Sequence, residues 1–354
     1  MERNTNLELL RIVSIFLIVA HHYYYNIIQF SANTYEAHKN FIDCFASGGK
    51  IGVALFVMIS GYFMVNSKIT LKKLLSIMSP VWFYSYLFLF VYIVFVDANS
   101  MSLKILVKSL LPIATGHYWF ITAYIFLMIF SPFFNKLIHS LRREQLRFAL
   151  MTLFFIWCFL GTFLNLKIWY NDSVFFVFLY GVAAYIRLYV DVSSCSTLKL
   201  LTVCITSLFS IVLSVFMINY IGMLQANTAI LQQSMYFSKL NSIFVVFFSY
   251  SVFVLMIKRP PIFIKWINNL ASTVLGIYLI HGNLCISALI WECIINLIPQ
   301  DNVFIHAFLC SFFICLVCAI IEWLRQLLFG KIERGGISII LEIKKIKKLQ
   351  AYIN

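Results

Sequence analysis

The chain contains a succession of apolar runs, each long enough to cross a lipid bilayer. A transmembrane helix needs about 20 mainly apolar residues, and such runs recur along nearly all of the 354 residues. Because 62% of the residues are hydrophobic and only 11% are charged, little of the chain remains to form a water-soluble domain. Backbone polar groups must be paired inside a bilayer, so runs of this length predict helices.

We therefore predict an all-α integral membrane protein with about ten transmembrane helices. An even number of crossings places both termini on the same side of the membrane. The predicted spans are residues 7–30, 45–66, 74–96, 118–138, 148–165, 173–190, 199–221, 240–257, 270–290 and 303–329.

The distribution of Lys and Arg predicts which side that is. Short cytoplasmic loops of membrane proteins are enriched in basic residues. With the N-terminus inside, 20 of the 27 basic residues fall in cytoplasmic segments and six fall in the opposite loops. Both termini are thus predicted to be cytoplasmic. The same clusters account for the net charge of +14, so we expect no nucleic-acid partner.

Two parts of the chain are expected: a polytopic membrane domain at residues 1–329 and a basic cytoplasmic tail at residues 330–354. The tail is either an amphipathic segment on the anionic inner leaflet or a disordered basic end. Its lysines alternate with Ile and Leu at Lys344, Lys345, Lys347 and Lys348.

The nine cysteines show no spacing typical of disulfides or zinc sites. Cys315 and Cys318 form a C-x-x-C pattern, but they lie within an apolar run without a nearby His or carboxylate. We expect these two thiols to pack as small apolar groups, and we predict no metal site.

The first predicted helix carries an unusual share of ionisable side chains: Glu8, Arg11, His21 and His22. Such groups are costly within a membrane span and are candidates for function. At about 100° and 1.5 Å per residue, Arg11 and His22 lie within about 20° on one face and roughly 16 Å apart along the axis. His21 is turned away by about 80°. Arg11 is thus expected near the cytoplasmic surface and His22 deep in the protein.

These two side chains suit the transfer of a group from a phosphate-bearing donor. The guanidinium of Arg11 can bind phosphate oxygens in bidentate fashion, as coenzyme A would require. The imidazole of His22 can take the proton from a sugar hydroxyl that attacks a thioester. Alternatively, Arg11 extends to lipid phosphates, and the histidines bond to neighbouring helices.

Four segments resemble the acyltransferase 3 family of bacterial membrane O-acyltransferases, of the polysaccharide O-acetyltransferase type. Arg11 and His22 match the Arg and His of that family's first helix, separated by ten residues. Residues 60–63, Ser-Gly-Tyr-Phe, are similar to the end of its second helix. Residues 117–120 resemble its Trp-Phe segment, and residues 272–281 its Tyr-x-x-His segment. The resemblance extends over about residues 5–329.

The resemblance implies a multi-pass enzyme of the bacterial cytoplasmic (inner) membrane, surrounded by membrane lipids. It would transfer an acyl group, usually acetyl, from cytoplasmic acyl-CoA (acetyl-CoA) to a hydroxyl of an envelope polysaccharide or lipid-linked sugar. It also implies that His22 is catalytic and that Arg11 assists by binding or positioning the donor. Where relatives have arginines after the second helix, this chain has Lys68, Lys72 and Lys73. We expect Lys72 and Lys73 to bind coenzyme A phosphates.

Further candidates for substrate binding are His117, Tyr118, Trp119 and His281. The first three lie at the predicted outer interface, where they either stack on a sugar ring or belong to the aromatic belt. His281 lies within the ninth predicted helix, where it either contacts the acceptor or holds helices together through a hydrogen bond. Gly61 is expected to allow close helix packing.

Two other functions are open: a polysaccharide-lipid flippase or other transporter, and an oligosaccharide polymerase. A transporter would distribute charge pairs over several helices and often has two related halves. Here we expect intramembrane charge mainly in the first helix, with Glu322 and Arg325 forming a simple i,i+3 pair near the end of the last helix. A polymerase would have a large outer loop, whereas the longest predicted outer loops have about 20 residues.

Overall fold

A computed structural model describes residues 3–96 and 101–343. It is 79% helical, and no β-strand occurs in these two ranges, so the predicted all-α class is confirmed. The described α-helices are, in chain order, α1 (Thr5–Phe30), α2 (Ala32–Ala37), α3 (Lys39–Ala46), α4 (Gly49–Met64), α5 (Leu71–Phe95), α6 (Leu103–Leu110), α7 (Trp119–Ser140), α8 (Arg143–Leu153), α9 (Leu160–Phe163), α10 (Asp172–Tyr189), α11 (Thr197–Leu224), α12 (Thr228–Leu231), α13 (Ile243–Lys258), α14 (Lys265–Ala271), α15 (Val274–His281), α16 (Ser287–Leu297) and α17 (Val303–Glu342).

Within the described residues, nine helical stretches are long and apolar enough to cross a membrane. Several contain more than one helix, because short breaks or a π-helical turn at Phe154–Phe159 interrupt them. The stretches correspond to α1, α3 with α4, α5, α7, α8 with α9, α10, α11, α12 with α13, and α17. Nine of the ten predicted spans are thus found, and the multi-pass architecture is confirmed.

The ninth predicted span, residues 270–290, is not one continuous helix. α15 ends at His281 and α16 begins at Ser287. Side chains from the α6–α7 connection bond to the chain between them: the backbone N–H of Leu284 donates to His117 Nε2 at 3.3 Å, and the Asn283 amide donates to the hydroxyl of Tyr118 at 2.7 Å. Such breaks are tolerated in a membrane where the protein itself satisfies the freed polar groups.

Helix α1 lies at the centre of the assembly and packs against α4, α15, α16 and α17. Glycines allow α4 to approach it closely. A Cβ atom at Gly52 would lie 2.4 Å from the carbonyl oxygen of Ser14, and one at Gly49 would lie 2.4 Å from Cβ of His21. Small residues at helix interfaces permit this spacing. The close packing fixes the rotation of α1 and therefore the position of His22.

Buried charges also occur outside α1, which corrects the expectation that they concentrate there. Glu322 and Arg325 form the expected i,i+3 pair, but they are only 2% and 8% exposed and share two bonds of 2.8 and 2.9 Å. In α3, the fully buried Asp43 bonds to Lys39 at 2.6 Å. Arg325, one of the 20 basic residues assigned to cytoplasmic segments, is thus part of a buried pair. Each buried carboxylate has a basic partner, as charges removed from water require.

Helix α17 passes residue 329 without interruption and ends at Glu342. The first part of the predicted tail therefore continues the last helix. The four lysines of the predicted basic tail, Lys344, Lys345, Lys347 and Lys348, lie outside the described residues.

Three segments predicted to be cytoplasmic meet at one end of the assembly. Arg3, Lys72 and Lys73 line one cavity, and Arg3 and Lys265 line a second. We call the end marked by these four residues the basic end. This clustering agrees with the predicted loop assignment, because the same side of the membrane is expected for all three segments.

Candidate active site

A cavity at the basic end brings together the residues predicted to bind the donor. This basic cavity, of about 520 Å³, is lined by Arg3, Arg11, Lys72 and Lys73 among others. All of its lining residues are described, and none of them is Asp or Glu. Four positive charges around one opening make the cavity suitable for an anion.

A second cavity continues from Arg11 into the protein. This central cavity, of about 320 Å³, shares Arg3 and Arg11 with the basic cavity. Most of its wall is apolar, and Ile18, Phe120 and Tyr278 form part of it.

A third cavity lies beyond those three side chains. This histidine cavity, of about 190 Å³, has Ile18, Phe120 and Tyr278 in its own wall, so it adjoins the central cavity across them. Its polar lining includes His22 and Lys50. Along α1, Arg11, Ile18 and His22 line successive cavities, so one helix face connects the basic end to the histidine cavity.

Arg11 is tethered within α1 by an ion pair. Its NH1 group bonds to Oε1 of Glu8 at 2.5 Å, and its side chain is 26% exposed. Glu8 itself is 6% exposed in its side chain, and its second carboxylate oxygen has no bonding partner among the described residues. The pair uses only part of the guanidinium's donor capacity. Arg11 therefore lies at a cavity wall with further N–H groups to offer.

His22 bonds to a second histidine from the broken helix. Its Nδ1 atom lies 2.9 Å from Nε2 of His281. His281 is fully buried and is not among the lining residues of the three cavities. His281 is the last residue of α15 and lies beside His22, the base predicted from the sequence.

His21 also lines the histidine cavity, although the helical-face argument turns it away from His22. Its Nδ1 atom lies 2.9 Å from the carbonyl oxygen of Ala46, so this nitrogen donates to the backbone. His21 is therefore held at the packed α1–α3 contact, whereas His22 bonds to another imidazole.

Residues 117–119 were predicted to bind substrate. Of these three, only Trp119 lines the histidine cavity. His117 and Tyr118 are 8% and 2% exposed, and both bond to the break between α15 and α16. The hydroxyl of Tyr118 also donates to the carbonyl oxygen of Leu279 at 3.1 Å. Their visible role is to hold the broken helix in place.

Lys50 lines the histidine cavity and is a candidate site residue that the sequence analysis did not single out. Its Nζ atom lies 4.7 Å from the Trp119 ring centroid and 2.8 Å from a carboxylate oxygen of Asp172. In the sequence analysis it is one of the six basic residues assigned to the loops on the outer side. The residues around Lys50 did indicate such a position. Glycines at 48, 49 and 52 indicate that this segment packs closely against another helix, which would bring Lys50 near that helix.

The family model described as an acyltransferase domain, acyltransferase 3, matches residues 4–323. No curated protein and no solved structure matches the chain significantly. The matched range runs from the residue before α1 into α17 and includes every residue that lines the three cavities except Arg3. The chain therefore belongs to the acyltransferase 3 family and is a multi-pass membrane O-acyltransferase.

Proposed function

We propose that this enzyme transfers an acyl group, in the simplest case acetyl, from cytoplasmic acyl-CoA to a hydroxyl of an envelope polysaccharide or lipid-linked sugar. The proposal locates it in the bacterial cytoplasmic membrane. The observation that carries it is the pair of adjoining cavities. One begins at a basic opening, the other contains His22, and they share the wall of Ile18, Phe120 and Tyr278.

The basic and central cavities fit the two chemically different parts of acyl-CoA. Arg11, Lys72 and Lys73 would bind its phosphate groups, with Arg11 supplying the N–H groups that Glu8 leaves free. The apolar central cavity would take the pantetheine arm. The thioester would then arrive at the shared wall next to the histidine cavity.

Trp119 and Lys50 favour a sugar as the acceptor. Trp119 is 39% exposed and offers an aromatic surface to a sugar ring, while Lys50, which is paired with Asp172, offers a donor for hydroxyl groups. In this proposal the acceptor enters from the side opposite the basic end.

His22 acts as general base in the transfer. Its Nε2 atom takes the proton of the acceptor hydroxyl as the oxygen forms a bond to the thioester carbonyl carbon. The carbon–sulfur bond then breaks, and the departing sulfur receives the proton from His22. An acyl group carried transiently on His22 is the alternative route. Ester and free thiol are the products in both cases.

Transport of a lipid-linked glycan is the second candidate, favoured by the buried charges on α3 and α17. Comparison of surface glycan by NMR or mass spectrometry separates the two. Cells carrying the wild type, a deletion and His22→Ala would be compared. We expect ester groups to be lost in both mutants while glycan length is unchanged. Accumulation of lipid-linked glycan on the inner leaflet would instead establish transport.

A further inference from the structure

The contact between His22 and His281 determines where protons reside on both rings. Nδ1 of His281 lies 2.5 Å from the carbonyl oxygen of Ile277, and Nε2 lies 2.9 Å from Nδ1 of His22. A carbonyl oxygen can only accept a hydrogen bond, so Nδ1 of His281 must carry a proton. In a neutral ring, Nε2 of His281 then has a lone pair and accepts.

This direction fixes the tautomer of His22. Since Nε2 of His281 accepts, Nδ1 of His22 must donate, and Nε2 of a neutral His22 must be unprotonated. The reverse direction would need a proton on both nitrogens of His281. That positive charge would lie on a fully buried ring whose described bonding partners are a backbone carbonyl and another imidazole, which is unfavourable.

We propose that His281 is a positioning residue that holds His22 in the tautomer with an unprotonated Nε2, and that it does not bind the acceptor. This inference rests on the proposed function, in which Nε2 of His22 takes the hydroxyl proton. The chain that follows α15 supports this positioning role. The hydroxyl of Ser287 donates a hydrogen bond to the carbonyl oxygen of His281 at 2.8 Å and so anchors the residue.

A simple structural role is the competing explanation, and the protein contains a matched example of one. His306 is also fully buried, and its Nδ1 accepts from the hydroxyl of Tyr23 at 2.8 Å, linking α17 to α1. His306 does not line the histidine cavity and does not contact His22 among the described residues. Substitution of His306 therefore reports the effect of losing a buried histidine that joins α1 to another helix.

Steady-state transfer from acetyl-CoA to the cell's own glycan, measured with purified protein in liposomes, tests the proposal. The side-chain carbonyl oxygen of Gln at position 281 would lie about where Nε2 of the histidine lies. The shorter side chain of Asn reaches only the position of Nδ1. We expect His281→Asn to lower kcat by about 10- to 100-fold. Acceptor KM should change little, and His281→Gln should recover most of kcat. His306→Gln should keep wild-type kcat.

A rise in acceptor KM with kcat unchanged would assign His281 to acceptor binding and overturn the proposal. Equal losses in the Asn and Gln variants, accompanied by a lower unfolding temperature, would assign it to packing alone.

Nitrogen NMR of ¹⁵N-histidine-labelled protein tests the tautomer independently of activity, with the His22 signals identified from His22→Gln. We expect a protonated Nδ1 and an unprotonated Nε2 in the wild type, and a mixture or the opposite tautomer in His281→Asn. A protonated Nε2 in the wild type would overturn the inference. If His22→Ala retained activity while the tautomer was as expected, the proposed base would fail but the His281 contact would stand.

Discussion

The guanidinium of Arg11 bonds to Glu8 and borders both the basic and the central cavity. Arg11→Lys keeps the positive charge beside Glu8 but removes the planar donor set that binds phosphate in bidentate fashion. We expect the KM for acetyl-CoA to rise roughly 10- to 100-fold, since a lost charge-assisted bond costs about 1.5–3 kcal/mol. Steady-state kinetics at saturating acceptor measures this.

Arg142→Lys is the matched control, because Arg142 is exposed and lines none of the three cavities. Its donor KM should equal that of the wild type. An Arg11→Lys enzyme with unchanged donor KM would show that Arg11 only neutralises Glu8.

Trp119 offers an exposed aromatic surface to the histidine cavity. Trp119→Ala removes a stacking partner worth about 0.5–1.5 kcal/mol, so acceptor KM should rise roughly 2- to 10-fold while donor KM stays constant. Trp169→Ala is the control, since Trp169 is 91% exposed and lies outside the cavity. If both variants behaved alike, Trp119 would have no specific part in acceptor binding.

At the residue scale, the sequence supplied its two leading site candidates from one helix. The near-common face of Arg11 and His22 follows from helix periodicity, and both residues line the adjoining cavities. The contacts of His22 with His281 and of Lys50 with Trp119 join distant parts of the chain. Helix periodicity carries no information about contacts between distant parts of the chain, so the sequence could not predict them.

At the element scale, the α1–α4 contact depends on Gly52. A Cβ there would lie 2.4 Å from a backbone oxygen, which cannot move as a side chain can. We expect Gly52→Ala to destabilise the protein by about 1–3 kcal/mol. Thermal unfolding in detergent would show this as a lower midpoint.

Gly335→Ala is the control for that substitution, because a Cβ at Gly335 in α17 would have no neighbour within 4 Å. Alanine is favoured over glycine within a helix by roughly 0.5–1 kcal/mol, so this variant should unfold at the same or a higher temperature. A Gly52→Ala protein of equal stability would mean that α4 can shift away from α1 without cost.

The break between α15 and α16 could not be predicted from the local sequence. Residues 270–290 are apolar enough for a span, and the break contains no proline. Gly282 and Asn283 are the local signals, and each is compatible with a helix. The break exists because His117 and Tyr118, from another connection, satisfy its polar groups. That stabilisation is tertiary and leaves no periodic pattern in the sequence.

At the scale of the whole molecule, the number of crossings decides the position of the C-terminus. Nine described stretches have the length of a full span, and α15 with α16 would supply a tenth crossing. We predict ten crossings and a cytoplasmic C-terminus. A C-terminal green fluorescent protein fusion should fluoresce, and an alkaline phosphatase fusion at the same site should be inactive. The reverse pattern would show that the broken helix does not cross.

The central claim is that His22 is the base of the transfer reaction. Its most direct test is the rate of acyl transfer from labelled acetyl-CoA to glycan by purified protein in liposomes. We predict that His22→Ala lowers kcat by at least about 100-fold, while His21→Ala, which removes a ring that bonds to a backbone carbonyl and packs edge-on against Tyr25, retains much more activity. Transfer by His22→Ala at the wild-type rate would contradict the account.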